Sequence, residues 1–146
     1  MGRPLVLFFL VLCSAVACGD DDPPSDEDLI QKLIEDVTGE VDGTYVKRCL
    51  AYVDMQRYPL DVKVPRHSGV YDAERAPQIE KRFRDIIRQR FQGTEIRLRN
   101  DEVEIDGDRA EVRLALITAV GPLRVELTVQ KPEPGVWKIS RVHIRR

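Results

Sequence analysis

The chain has 146 residues, of which 42% are hydrophobic and 33% charged, with 23 basic and 25 acidic side chains and a formal net charge of −2. That length suits one hydrophobic core. The near-even charge excludes the strongly basic class of nucleic-acid-binding domains.

Arg3 precedes an apolar run from Pro4 to Cys13, and Ala15-Val16-Ala17-Cys18 follows. Charge arrives at Asp20, too soon for the roughly 20 apolar residues of a membrane span. A positive start, a short apolar centre and small residues mark a secretory signal over residues 1–17. The cysteine directly behind the small residues resembles the lipobox of bacterial lipoproteins, whose cysteine is lipidated and becomes the new N-terminus. Ala15 stands where that motif usually carries Leu. The resemblance implies a lipid anchor on Cys18 and a place in the cell envelope outside the cytoplasm. Gly19, in place of an aspartate after the cysteine, points to the outer membrane where the cell has one. The alternative is an ordinary signal cut after Ala15 or Ala17, which leaves a soluble secreted protein.

Residues 18–27 then form a flexible acidic tether, because Gly, Asp, Pro, Ser and Glu bury no apolar surface. Residues 19–54 carry 11 acidic and 3 basic side chains, and residues 55–146 carry 14 and 19. The basic residues alternate with apolar ones or cover a helix back, the pattern of solvated charge, so no nucleic-acid partner is expected. With the signal removed, Cys49 is the one cysteine besides Cys18. It reads as a small buried hydrophobe.

Ser25 and Asp28 predict a capping box, and Leu29, Ile30, Leu33, Ile34 and Val37 follow at helical spacing until Gly39. A second helix is predicted from Asp42 or Gly43 to just before Pro59, with Tyr45, Cys49, Tyr52, Val53 and Gln56 on one stripe. Residues 59–71, with Pro59, Pro65 and Gly69, read as a loop holding at most a short strand. A third helix opens between Asp72 and Pro77 and buries Ile79, Phe83, Ile86, Ile87 and Phe91 up to Gly93.

From Thr94 the period becomes two. Ile96 and Leu98, then Val103 and Ile105, make one strand with a bulge near Asn100-Asp101. Asp106-Gly107 predicts a hairpin turn. Ala110, Val112, Leu114 and Leu116 face inward on the next strand, whose far end adds Ala115, Ile117 and Ala119 and so reads as covered on both faces. After a turn at Gly121-Pro122 come Leu123, Val125, Leu127 and Val129. A turn over Pro132 to Gly135 leads to the last strand, Val136 to Ile144, whose apolar face shifts between Ile139 and Val142. The expected fold class is α+β, with three N-terminal helices packed on a curved antiparallel sheet of about four long strands. Leu114, Leu116, Val125 and Leu127 are expected to share a core with Ile79, Phe83 and Ile86.

The ending, Asp106-Gly107-Asp108-Arg109-Ala110-Glu111-Val112, then Leu127-Thr128-Val129, then Gly135-Val136-Trp137-Lys138-Ile139-Ser140-Arg141-Val142, resembles the nuclear transport factor 2-like superfamily, also called SnoaL-like or cystatin-like. The resemblance spans residues 28–146 as one domain. It implies a cone whose wide end holds a pocket, used by some relatives for isomerase, dehydratase or cyclase chemistry and by others for binding or dimerisation.

Candidate pocket residues are Tyr45, Tyr52 and His143, with Asp54 and His67 weighed beside them. Helical geometry turns Asp54 about 200° away from Tyr52, and His67 has no evident partner. His143 falls on the strand face of Trp137, Ile139 and Arg141. No catalytic set, metal site or cofactor motif emerges. The sequence therefore favours a binding or assembly module over an enzyme. Its expected partners are the membrane, through the lipid anchor, and either a small apolar ligand or a second copy forming a homodimer. The enzyme alternative is a SnoaL-like or dehydratase-type catalyst acting on a small apolar substrate.

Overall fold

The computed structural model describes residues 22–146; the signal, Cys18 and the first residues of the tether lie outside the described residues. Helix α1 runs Asp26–Val37, with Ser25 and Asp28 closing the expected capping box. Its Ile30, Leu33 and Ile34 are fully buried, each contributing about 1.5–3 kcal/mol by leaving water. Two-residue strand β1, Gly39–Glu40, leads to helix α2, Tyr45–Leu50. That helix is much shorter than the expected one. Ala51 and Tyr52 leave it as a turn that docks on the last strand, where the Ile139 N–H donates to the Tyr52 carbonyl at 2.7 Å.

The segment expected as a loop is a hairpin. Strand β2, Leu60–Val64, pairs antiparallel with β3, His67–Tyr71. Pro65 and Arg66 form its two-residue turn, with Arg66 at φ +69°. Helix α3 spans Ala76–Ile86 and has Pro77 in its first turn, then widens into one π-helical turn over Ile87–Phe91. There the Gln92 N–H reaches the Ile87 carbonyl five residues back, at 2.8 Å. The extra residue per turn rotates the stripe, so Ile87 is buried while Ile86 is 38% exposed. This corrects the expectation that both face the core.

Four long strands follow: β4 Glu95–Asp106, β5 Arg109–Thr118, β6 Gly121–Glu133 and β7 Val136–Arg145. Register shifts lie between Leu98 and Asn100 in β4 and opposite Ser140 in β7, near where the apolar pattern breaks. The β4–β5 loop is Gly107-Asp108, since Asp106 pairs with Arg109. Gly107 has φ +59°, which suits the first central position of a type II′ turn. The β5–β6 loop is Ala119-Val120, with Thr118 paired to Gly121, two residues earlier than the expected Gly121-Pro122.

The expected sheet of about four antiparallel strands is incorrect. Seven strands run in the order β1-β4-β5-β6-β7-β2-β3, and β2 lies parallel to β7, with Val62 beside Val142. The sheet is mixed and open, ending in edges at β1 and β3, and does not close into a cone. The helices are also not all N-terminal to the strands, since α3 follows the β2–β3 hairpin. Parallel pairing leaves no local trace in the chain, because its partners are about eighty residues apart.

Ala110, Val112, Leu114, Leu116, Val125, Leu127, Val129, Trp137 and Ile139 make the buried sheet face against α1 and Tyr45, with Ile79 and Phe83 only partly buried beside them. The far end of β5 is not covered twice, as Ile117 is 38% exposed. At the other end Trp137 Nε1 donates to Asp26 Oδ1 at 3.2 Å, and Lys131 Nζ donates to Asp26 Oδ2 at 3.0 Å. These bonds fix the first turn of α1 to β6 and β7, and the acid is favoured there by the helix dipole. Among the described residues no helix is long and apolar enough to cross a membrane.

Leu127 lies at the centre of this face, opposite Val112 and Val142. Leu127→Ala is expected to lose about 2–5 kcal/mol by chemical denaturation, from lost transfer energy and the cavity left behind. A loss below about 0.5 kcal/mol, the range of ordinary surface substitutions, would contradict the register.

Candidate functional site

The structure does not bring Tyr45, Tyr52 and His143 together. Tyr45 is buried, and its hydroxyl donates to the Val37 carbonyl at the end of α1 at 2.7 Å. Burial pushes that phenol far above its ordinary value. Arg48 lies over the ring at 5.6 Å and donates to the Glu40 carbonyl at 3.0 Å, so Tyr45 is a sealed part of the α1–α2 joint. Tyr52 hydrogen-bonds the Asp36 carboxylate through its hydroxyl. Desolvation, then the acid, holds its phenol well up. The sequence sets the Tyr52–Asp54 pair aside and gives no sign of Asp36, which lies a helix away. Asp54 instead accepts from the Arg57 N–H in its own turn at 3.4 Å.

His143 lies on the opposite sheet face from that expected. The bulge at Ser140 reverses the alternation, so Val142 pairs with core residue Leu127 while His143 pairs with Glu126 and Lys63. Its Nε2 is 3.9 Å from Asp61 Oδ2, and Arg141 Nε meets the same oxygen at 3.2 Å.

A different cluster has the geometry of a site. His67, Gly69 and Tyr71 alternate onto one face of β3. A methyl group added at Gly69 would stand 3.3 Å from the Tyr71 ring and hydroxyl, so glycine there lets the tyrosine fold back along the strand. Its hydroxyl meets His67 Nε2 at 2.5 Å. Tyr71 is only 4% exposed, while His67 is half-buried. Arg75 lies 4.7 Å over the Tyr71 ring and donates to the Val70 carbonyl at 2.8 Å. It is thereby pinned as one wall.

Residues 75, 78, 82 and 85 recur at helical spacing, so Gln78, Arg82 and Asp85 face the strand from α3. Together with Lys81 and the exposed Ile86 they bound a cleft of about 500 Å³. One polar pair lies at its base, one apolar contact at its side, and cations along its rim. The sequence signal was the spacing His-x-Gly-x-Tyr on a strand. Pro59, Pro65 and Gly69 mask that spacing, because they give the segment the composition of a loop. Among the described residues no three His, Cys, Asp or Glu side chains converge on a metal-sized site.

No protein-family model and no curated protein matches the chain. Solved structures do. One is a protein of unknown function with a cystatin-like fold from Nostoc punctiforme, at TM-score 0.61 and 16% identity, covering 84% of this chain and 93% of that one. Another is a candidate ketosteroid isomerase from Parabacteroides distasonis, at 0.61 and 11%, covering 82% and 86%. A third is a candidate scytalone dehydratase from Novosphingobium aromaticivorans, at 0.60 and 18%, covering 80% of each. The chain shares the cystatin-like fold of the Nostoc protein. At these identities the likeness is one of fold, and chemistry has to be argued from the side chains.

Cys49, half-buried beside Tyr45, is pushed up to about 11 from an ordinary 9.0, chiefly by burial. A raised value favours the neutral thiol in the folded state. The stability this contributes is complete below about pH 9 and is lost as pH rises through about 11, the direction in which Tyr45 and Tyr52 also act. Denaturation midpoints are expected to fall between pH 9 and 11, and Cys49→Ala is expected to lessen that fall. An identical fall in the variant would contradict the burial of the thiol.

Proposed function

We propose that this is a lipid-anchored binding module of the cell envelope, held by Cys18, that takes a small ligand in the β3–α3 cleft. The observation that carries the site is the 2.5 Å contact of His67 Nε2 with the Tyr71 hydroxyl at the base of that cleft. When His67 carries its proton on Nε2 and donates it to the tyrosine oxygen, the Tyr71 O–H is free to donate to one oxygen of a ligand. The exposed Ile86 offers apolar contact to its body. The ligand class is a small molecule that bears one carbonyl oxygen for this pair and an apolar edge for Ile86, in a cleft whose other walls are the polar side chains of Arg75, Gln78, Lys81, Arg82 and Asp85.

A second reading is a dehydratase- or isomerase-type enzyme acting on a small apolar substrate. It is favoured by the same contact, because His67 could take a proton from the carbon beside a carbonyl while Tyr71 donates to the oxygen. Two structural neighbours carry names of that kind. The open rim of α3 weighs against it, since such chemistry gains from exclusion of water.

One probe separates the readings. The binding module is expected to take up 2-acetylnaphthalene with a shift of the His67 ring resonances, and Tyr71→Phe is expected to weaken binding about three- to tenfold through one lost hydrogen bond. Binding that ignores Tyr71→Phe and His67→Ala would remove the cleft from consideration. Exchange of the ketone's methyl protons with deuterated solvent, abolished in His67→Ala, would establish the enzyme instead.

The anchor has its own test. Cys18→Ala is expected to move the protein from the membrane to the soluble fraction of cells with the domain still folded. Wild-type protein that is soluble and carries an unmodified N-terminus would contradict lipidation.

A further inference from the structure

We propose a second ligand site on the outer sheet face, an arginine-walled groove at the β4 bulge that binds a small amphipathic carboxylate. The groove has a volume of about 690 Å³ and is bounded by Arg99, Asn100, Ala115, Ile117, Pro122, Arg124 and Arg146, among others. Its form follows from the register. Asn100, Ala115 and Arg124 lie in one row across β4, β5 and β6, and Arg97, Ile117 and Pro122 in another. Ala115 is small and Pro122 flat, so the sheet is low at its centre. The bulge between Leu98 and Asn100 displaces Arg99 from regular alternation and adds it to one wall. Arg124 stands on the other.

The chemistry is set by what these groups lack. Among the described residues, Arg97, Arg99, Arg124 and Arg146 form no ion pair, whereas neighbouring Arg113 and Arg145 meet Glu102 and Glu126. Unpaired guanidinium groups beside an apolar floor suit a carboxylate with an aromatic or aliphatic body. The fork-shaped donors match the two oxygens, and the arginine planes and Ile117 pack on the body. The exposure of Ile117, which the core does not need, fits this use. The groove is also remote from the anchor. The tether enters at Asp26, beside Lys131, and Arg124 lies seven residues up the same strand, about 23 Å away at strand rise. The site therefore faces away from the end at which the chain is held.

The test uses the full-length protein and 2-naphthoate, followed by calorimetry and by the resonances of Ile117. Wild type is expected to bind and to shift Ile117. Arg99→Gln and Arg124→Gln are expected to weaken binding about tenfold each, the loss of one charge-assisted bond. Uncharged 2-naphthamide is expected to bind about tenfold more weakly than the carboxylate. Tyr71→Phe, on the other face, is expected to leave all of this unchanged, which separates the groove from the β3–α3 cleft. Both arginines are exposed, so circular dichroism should show each variant folded. No binding to wild type, equal binding of the amide, or binding that follows Tyr71 instead of Arg99 and Arg124 overturns the proposal.

Discussion

The parallel pairing of β2 with β7 is the constraint on which the arrangement depends. It sets Asp61 beside Arg141, Val62 beside Val142 and Lys63 beside His143. The Asp61–Arg141 contact at 3.2 Å is half exposed and worth about 0–1 kcal/mol, so it does not create the register. Alternation does. Leu60 and Val62 are buried, and a slip of one residue would turn both to solvent. With β2 fixed, the two-residue turn at Pro65-Arg66 leaves β3 no freedom of register. Tyr71 then packs into the core from the sheet edge, and α3 begins a few residues later. The cleft holding His67, Tyr71 and Arg75 is the space between that edge strand and that helix.

Local signals were legible and long-range ones were not. The capping box of Ser25 and Asp28 is written within four residues and forms as read. The same is true of the inward faces of β5 and β6 and of the break near Asn100, all of which follow from period-two burial. The second helix was overextended because Tyr52, Val53 and Gln56 continue the stripe of Tyr45 and Cys49. What ends the helix at Leu50 is tertiary: the Ile139 N–H takes the Tyr52 carbonyl, and Lys138 donates to the Ala51 carbonyl at 2.8 Å. Pro59, Pro65 and Gly69 hid the β2–β3 hairpin, yet Pro59 precedes β2, Pro65 lies in the turn, and Gly69 falls on the edge strand β3, where glycine is tolerated. The π-helical turn could not be seen in a 3.6-residue pattern, and its one extra residue decides that Ile87 packs and Ile86 does not.

Errors about the site trace to those same long-range facts. His143 shares sequence parity with Trp137, but the bulge at Ser140 reverses the side-chain direction beyond it. Tyr52 was judged against Asp54, its neighbour in sequence, when its partner Asp36 comes from α1. The partner of His67 lies four residues along β3, a distance that the extended strand turns into a contact by setting both side chains on one face. In each case residue chemistry was visible and the pairing was supplied by the fold. The cystatin-like likeness adds a scaffold that solved proteins share at under 20% identity, and so leaves function to these side chains.

Amide hydrogen exchange resolved to single residues tests the central constraint most directly. In the wild-type protein the amides of β2 and β3 should be protected alongside those of β7. Val62→Asp should release residues 60–71 while β4, β5 and β6 stay protected, with loss of the His67–Tyr71 contact in the ring resonances. Exchange of residues 60–64 at the rate of an open loop in the wild type, with the contact intact, would contradict the account.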